Sequence, residues 1–245
     1  MSLGEELWKA LYIARKDMRV YYLKAPNFTY GLLMPVALYL AFSVAGNLSP
    51  GTLISGLVSL VVLFGSTSIE AVAVVMEKTS GTLERLLAAP VSVFYLILGK
   101  ALSGFMLGPL TAVVVLIPVT VLSGASVANP VLVFLAIALS SFTFAALGIL
   151  VSVYAKWIPE AQMYSNFLRF PMAFLAGAFI PVETMPQPLQ IISRLLPLTY
   201  SIEAMKEGIA NPGITGTYIV DMFVLAFFSA VIMIASTKVL ERRLR

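Results

Sequence analysis

Side-chain chemistry in this chain is confined to a few places. Glu70, Lys100, Arg169 and Asp221 fall in or beside long apolar stretches, and one polar run, Glu77 to Lys100, reads EKTSGTLERLLAAPVSVFYLILGK. An ionised group at mid-bilayer costs about 2.5–3.5 kcal/mol on insertion scales, so such residues face a cavity or a partner. Arg169 is the deepest of the four, and an internal ion pair with Glu70 is one way to shelter it. Lys100 and Asp221 lie near the ends of their stretches and are expected to snorkel to an interface. The residue types that are missing narrow the chemistry further. With no histidine and no cysteine there is no disulfide, no zinc or haem ligation of the usual kinds, and no Ser-His or Cys-His nucleophile. A phosphate-cradling loop needs a glycine, four residues, then Gly-Lys-Ser/Thr. The nearest approach, Gly99-Lys100-Ala101, lacks the upstream glycine and the hydroxyl. No ATPase site, cofactor or metal is therefore expected in this chain.

The elements that must hold these residues are set by composition. Of 245 residues 60% are hydrophobic and 11% charged, with a mean hydropathy of +0.95. A soluble domain is about half apolar and a quarter charged, so this is an all-α integral membrane protein. A spanning helix takes roughly 20 apolar residues, and six stretches qualify: 27–46, 52–75, 93–122, 131–155, 158–180 and 218–238. The third holds Pro109 and Pro118 and is expected to be kinked, tilted or partly outside the bilayer. Twelve of the sixteen Lys and Arg residues fall on one side of that topology, in the leader, the second and fourth connections and the tail. By the bias of cations toward the cytosol, both termini are cytosolic in a multi-pass cell-membrane protein. The net charge of +4 thus marks sidedness, and no nucleic-acid partner is expected. The first span exceeds a signal-peptide apolar region and is expected to stay as an anchor.

Residues 1–25 read as an amphipathic helix. Leu3, Leu7, Leu11, Ala14, Met18, Tyr21 and Tyr22 share one arc, opposite Glu5, Lys9, Lys16 and Arg19. Such a helix lies on the cytosolic leaflet against lipid, or packs on its own protein. In the connection at 76–92, Thr79, Ser80 and Thr82 are N-cap candidates, Leu83, Leu86 and Leu87 form a short apolar face, and Pro90 ends the helix. A helix of about two turns is marginal alone, so it needs a surface on its own membrane domain or on another protein. Gly104 and Gly108 form a small-xxx-small pair suited to close helix packing.

These residues carry a family resemblance. Glu77 with Gly81-Thr82-Leu83-Glu84, Leu86-Leu87, Pro90-Val91-Ser92 and Gly99-Lys100 resembles the signature of ABC-2 type transporter permeases. Phe174 to Pro181 is similar to that family's span-five exit, with Ala176 where Ser is usual, and Pro197-Leu198-Thr199-Tyr200 resembles a later element. The likeness covers nearly the whole chain and implies one transmembrane domain over 1–245. It also implies a second permease subunit, most simply a homodimer, surrounded by membrane lipids. Two ABC ATP-binding subunits, carrying ATP and Mg, would sit beneath. The short helix after span two would be a coupling helix, with Glu77, Gly81, Thr82, Leu83, Glu84, Arg85, Leu86 and Leu87 as contacts. The depth of its charge, rather than the resemblance, leaves Arg169 two readings: with Glu70 it lines the translocation path and meets an anionic substrate or headgroup, or the two form the internal ion pair.

Residues 181–217 are too apolar for plain linker. The resemblance implies short helices dipping into the outer leaflet, and an interfacial helix that stabilises the subunit is the other reading. The competing function is an ATP-independent channel or secondary transporter, which would need no docked ATPase. An intramembrane protease is disfavoured by the lack of histidine and of a Gly-x-Gly-Asp motif.

Overall fold

The computed structural model describes residues 3–22, 33, 36, 37, 40 and 49–244. Most of the first expected span, 27–46, lies outside the described residues; Leu33, Val36, Ala37 and Leu40 within it are helical. The described residues form α1 (Leu3–Asp17), α2 (Pro50–Thr79), α3 (Thr82–Ala88), α4 (Val93–Ser123), α5 (Pro130–Tyr154), α6 (Ile158–Leu175), α7 (Gln187–Arg194), α8 (Pro197–Ala210) and α9 (Gly216–Leu244). Among them there is no strand. Among the described residues four helices, α2, α4, α5 and α9, are long and apolar enough to cross a membrane.

Local signals fix the helix starts. Pro50 occupies the first turn of α2 and the Ser49 hydroxyl accepts from Thr52 N at 3.4 Å. Pro130 does the same for α5, where the Asn129 side-chain Oδ1 accepts from Val131 N and Leu132 N, both at 3.2 Å. α2 is apolar on every side and is accordingly the central helix, its whole apolar window buried. α4, α5, α6 and α8 pack around it. α4 runs unbroken through Pro109 and Pro118, with its last turns exposed at Ile117, Val121 and Leu122. Gly104 and Gly108 do serve packing: a Cβ on either would strike Ala145 or Ser141 of α5.

The fifth expected span is shorter as a helix than its sequence suggested. α6 ends at Leu175, and residues 176–180 continue without helical structure against α2, where a Cβ on Gly56 would come within 2.6 Å of the Ala178 carbonyl oxygen. Pro171, inside α6, and Pro181 beyond it limit how far helix can extend. The segment that follows holds α7 and α8, which differ sharply. α7 exposes Ile191 and Ile192, whereas α8 buries most of its residues against α2, α5 and α9. Small polar residues permit that close fit: Ser201 and Ser140 hydroxyls lie 2.7 Å apart, and Ser59 donates to Met205 Sδ at 3.3 Å.

A second apolar cluster gathers at the end of the bundle opposite α7. Ile13 of α1, Val74 of α2, Leu83 of α3, Leu96 and Ile97 of α4, Ile149 of α5 and Leu240 of α9 meet there. α1 and the last turns of α9 therefore lie at one end of the molecule. Of the two readings of the leader helix, packing on its own protein is observed. The face used is not the expected arc but one rotated from it: Ala10, Ile13, Ala14 and Asp17 are buried, and of these only Ala14 belongs to the arc, while Leu7 and Leu11 of the arc, with Tyr12 and Trp8, at 64% exposure, point outward. Small residues win the packed face because the backbones approach closely there.

Candidate functional site

The polar run after α2 folds as a tight bracket between two long helices. α2 ends where the Thr79 hydroxyl turns back to Val75 O and Met76 O at 3.1 Å. Gly81 adopts φ +69°, a left-handed turn that a side chain would strain. α3 follows for seven residues. Ala89 then becomes extended, as the residue before a proline must, and Pro90 and Ser92 lead into α4. Leu83 is the anchor of this short helix, 3% exposed in the cluster at this end of the bundle, with Leu86 and Leu87 half-buried beside it. Glu84, Arg85 and Ala88 are exposed, and Gly81 and Thr82 are half-buried. The surface that α3 offers is therefore Thr82, Glu84 and Arg85 with the outer edges of Leu86 and Leu87, and Leu83 holds it from behind.

Glu77 has another task. It is fully buried and pairs with Lys100 of α4 and with Lys16 of α1. Asp17 completes the group: its Oδ2 accepts from Lys100 Nζ at 3.2 Å, and its Oδ1 is ion-paired with Lys16 Nζ at 2.9 Å. Two ammonium groups and two carboxylates thus alternate in a neutral quartet that ties α1, the end of α2 and the start of α4 together. Lys100, 1% exposed, does not snorkel; its charge is matched locally, so it has no reason to reach for water. Further contacts repeat the strap along α1. Lys9 Nζ donates to Pro90 O at 2.6 Å, and Ser92 N donates to Glu6 Oε2 at 3.4 Å. Between them Gly99 lets α1 close in: a Cβ there would sit 2.6 Å from Ala10 O.

Cations flanking the bracket also cap α5. Lys78 Nζ donates to Ser152 O, Val153 O and Ala155 O at 2.8, 3.0 and 3.1 Å. Arg243 donates to Val153 O at 2.9 Å and lies 4.9 Å over the Tyr154 ring. Positive charge at a helix C-terminus meets both the orphan carbonyls and the helix dipole.

Arg169 and Glu70 are both fully buried in this chain. Arg169 donates to Phe64 O at 3.1 Å, Gln162 Oε1 at 3.2 Å, Asn166 Oδ1 at 2.7 Å and the Ser68 hydroxyl, and its guanidinium lies 4.9 Å from the Phe64 ring centroid. Neutral oxygens of α2 and α6 receive these bonds. Glu70 Oε1 instead accepts the Ser103 hydroxyl of α4 at 2.8 Å. Sequence reasoning missed Lys16 and Lys100 as partners of Glu77, and Asp17 as the second carboxylate that they share. Asp17 carried a usable signal: it stands between Lys16 and Arg19 in a basic leader, one turn beyond Ile13 on the face of Ala10 and Ala14 that the structure buries.

Comparison with known proteins agrees with the bracket's signature. A family model described as "ABC-2 type transporter" matches residues 6–210. The chain is 35% identical over 109 residues to Nodulation protein J of Sinorhizobium fredii, covering 44% of this chain and 41% of that protein. It is 25% identical over 180 residues to the Inner membrane transport permease YadH of Escherichia coli, covering 72% of this chain and 70% of that one. A third relative, the Inner membrane transport permease YhhJ of Escherichia coli, is 28% identical over 132 residues, or 53% of this chain and 35% of that protein. The chain thus spans well under half the length of two of these relatives.

Proposed function

The chain belongs to the ABC-2 type transporter family, and we propose that it is the membrane permease subunit of an ATP-driven exporter, working as a dimer over two separate ATP-binding subunits. Six spans cross the bilayer in this reading: the segment at 27–46, then α2, α4, α5, α6 and α9. The cation bias puts α1, α3 and the end of α9 in the cytosol. α3 is the coupling helix. Thr82, Glu84, Arg85, Leu86 and Leu87 meet the ATPase, while Gly81, Leu83 and Glu77 set the position of that surface.

The observation that carries this reading is the way α3 is held. A seven-residue helix would fray in water. This one is pinned by Leu83 below and flanked by the ion quartet, yet keeps its charged face outward. Movement of α3 would be passed through Glu77 and Lys100 into α2 and α4, the helices it joins. Nucleotide-driven closure of the ATPase pair would thereby shift the path between two states. Arg169 and Glu70 are assigned to that path in the same reading, as groups that the buried α2–α6 and α2–α4 contacts hold until the helices separate.

Co-purification with the cognate P-loop ATPase tests it. The wild-type chain is expected to hold the ATPase through affinity purification, and Leu86→Asp to lose it while eluting as a well-folded permease. Retention of the ATPase by Leu86→Asp, or substrate movement independent of ATP, would overturn the coupling role and favour a channel or secondary transporter.

A further inference from the structure

At the end of the bundle away from α3, the start of α9 forms a cavity with α8 and the segment before α7. Its volume is about 790 Å³, within the range of roughly 300–1,000 Å³ usual for small-molecule sites. We propose that this cavity binds an organic cation, an ammonium or phosphonium centre carried on an apolar body, through Asp221.

The charges in the wall decide the sign. Glu183, Glu203, Glu207 and Asp221 line it against Arg194 and Lys206. Two of the carboxylates are already engaged. Glu203 Oε2 accepts from Arg194 at 2.6 Å, and Glu207 accepts from Asn211 Nδ2 at 2.9 Å and Thr215 Oγ1 at 2.7 Å. Asp221 is different. It is 5% exposed, it lines the cavity, and among the described residues no hydrogen bond or ion pair reaches it. Glu183 and Lys206 are both exposed, so water screens them. A sequestered carboxylate without a partner is costly, and a cation entering the cavity offsets that cost directly.

The remaining wall selects the body of the ligand. Val220 and Val224 on the α9 face supply apolar surface, and Tyr200 adds an aromatic ring of the kind that attracts cations. A bare metal ion fits less well, because among the described residues no group of three or more acidic side chains is arranged to hold one. The ligand class is therefore an amphipathic organic cation. Asp221 escaped the snorkelling expected of it because the α8 wall, not the lipid surface, lies against this end of α9.

Equilibrium binding of radiolabelled tetraphenylphosphonium to the full chain purified in dodecylmaltoside tests the proposal. No nucleotide or ATPase is present, so the outcome is separable from the coupling reading. Wild type is expected to bind saturably, Asp221→Glu to bind nearly as well, and Asp221→Asn to lose about tenfold or more in affinity. Tetraphenylborate, the anionic counterpart, is expected not to compete. A second variant, Val224→Trp, keeps the charge but fills the cavity, and should also abolish binding even if Asp221→Asn folds poorly. Absence of saturable binding to wild type, equal affinity in Asp221→Asn or Val224→Trp, or equal competition by tetraphenylborate would each overturn it.

Discussion

Replacing Lys100 by Met is the sharpest perturbation of the bracket around α3. The wild-type quartet is neutral: Lys100 and Lys16 against Glu77 and Asp17. Lys100→Met keeps most of the side-chain volume but leaves two fully buried carboxylates sharing Lys16, whose side chain is 32% exposed. Breaking a buried pair by removing one partner costs about 3–5 kcal/mol. For a chain of this size, about 2–4 °C per kcal/mol makes that a fall of roughly 6–20 °C in Tm. Glu77→Gln in the same chain returns the remaining Lys16 and Asp17 to neutrality, so the double variant should recover much of the loss. The assay is thermal unfolding of the four proteins of the double-mutant cycle in one detergent, followed by co-purification of the ATPase. A coupling energy of about 0.5–3 kcal/mol is expected for residues in one network. A Tm for Lys100→Met within about 2 °C of wild type, or strictly additive single effects, would refute the claim that the quartet holds α1, α2 and α4 together.

Two further outcomes follow from the same geometry. Gly99→Val should push α1 off α4, because its Cβ would sit 2.6 Å from Ala10 O, whereas Gly4→Val has nothing within 4 Å; trypsin cleavage at the exposed Arg15 and Arg19 should accelerate for the first and not the second. Arg169→Leu should cost about 1–3 kcal/mol, since Phe64 O and its neighbours lose a buried donor. Transport measured on the assembled complex should fall more than stability alone explains; unchanged transport would remove Arg169 from the path.

The helices were largely legible because hydropathy and capping are local. Ser49-Pro50 and Asn129-Pro130 mark the starts of α2 and α5 within two residues of the stretches chosen from apolar content, and Pro90 marks the end of the α3 segment. The fifth stretch was less legible. Its apolar residues run to Ile180, but helix stops at Leu175 because backbone packing against Gly56 of α2 replaces helical order there. The bracket itself was visible as a motif, while its wiring was not. Glu77 looked like a surface contact beside Glu84, and only the approach of α1 shows that one is buried and the other exposed.

Sequence alone determined that this chain is an all-helical membrane protein of the ABC-2 kind, with a basic end, an interrupted polar run after α2, and no imidazole or thiol chemistry. Those properties are sums over neighbouring residues, so they survive without knowledge of the fold. Tertiary structure decided how the charges are used. Lys100 meets Asp17 across 83 positions and Glu77 across 23, Arg169 reaches back 105 positions to Phe64, and Asp221 is left facing a cavity. Whether a charge in an apolar helix is paired, capped or unmatched depends on which distant helix lies against it, and that is fixed only when the helices pack.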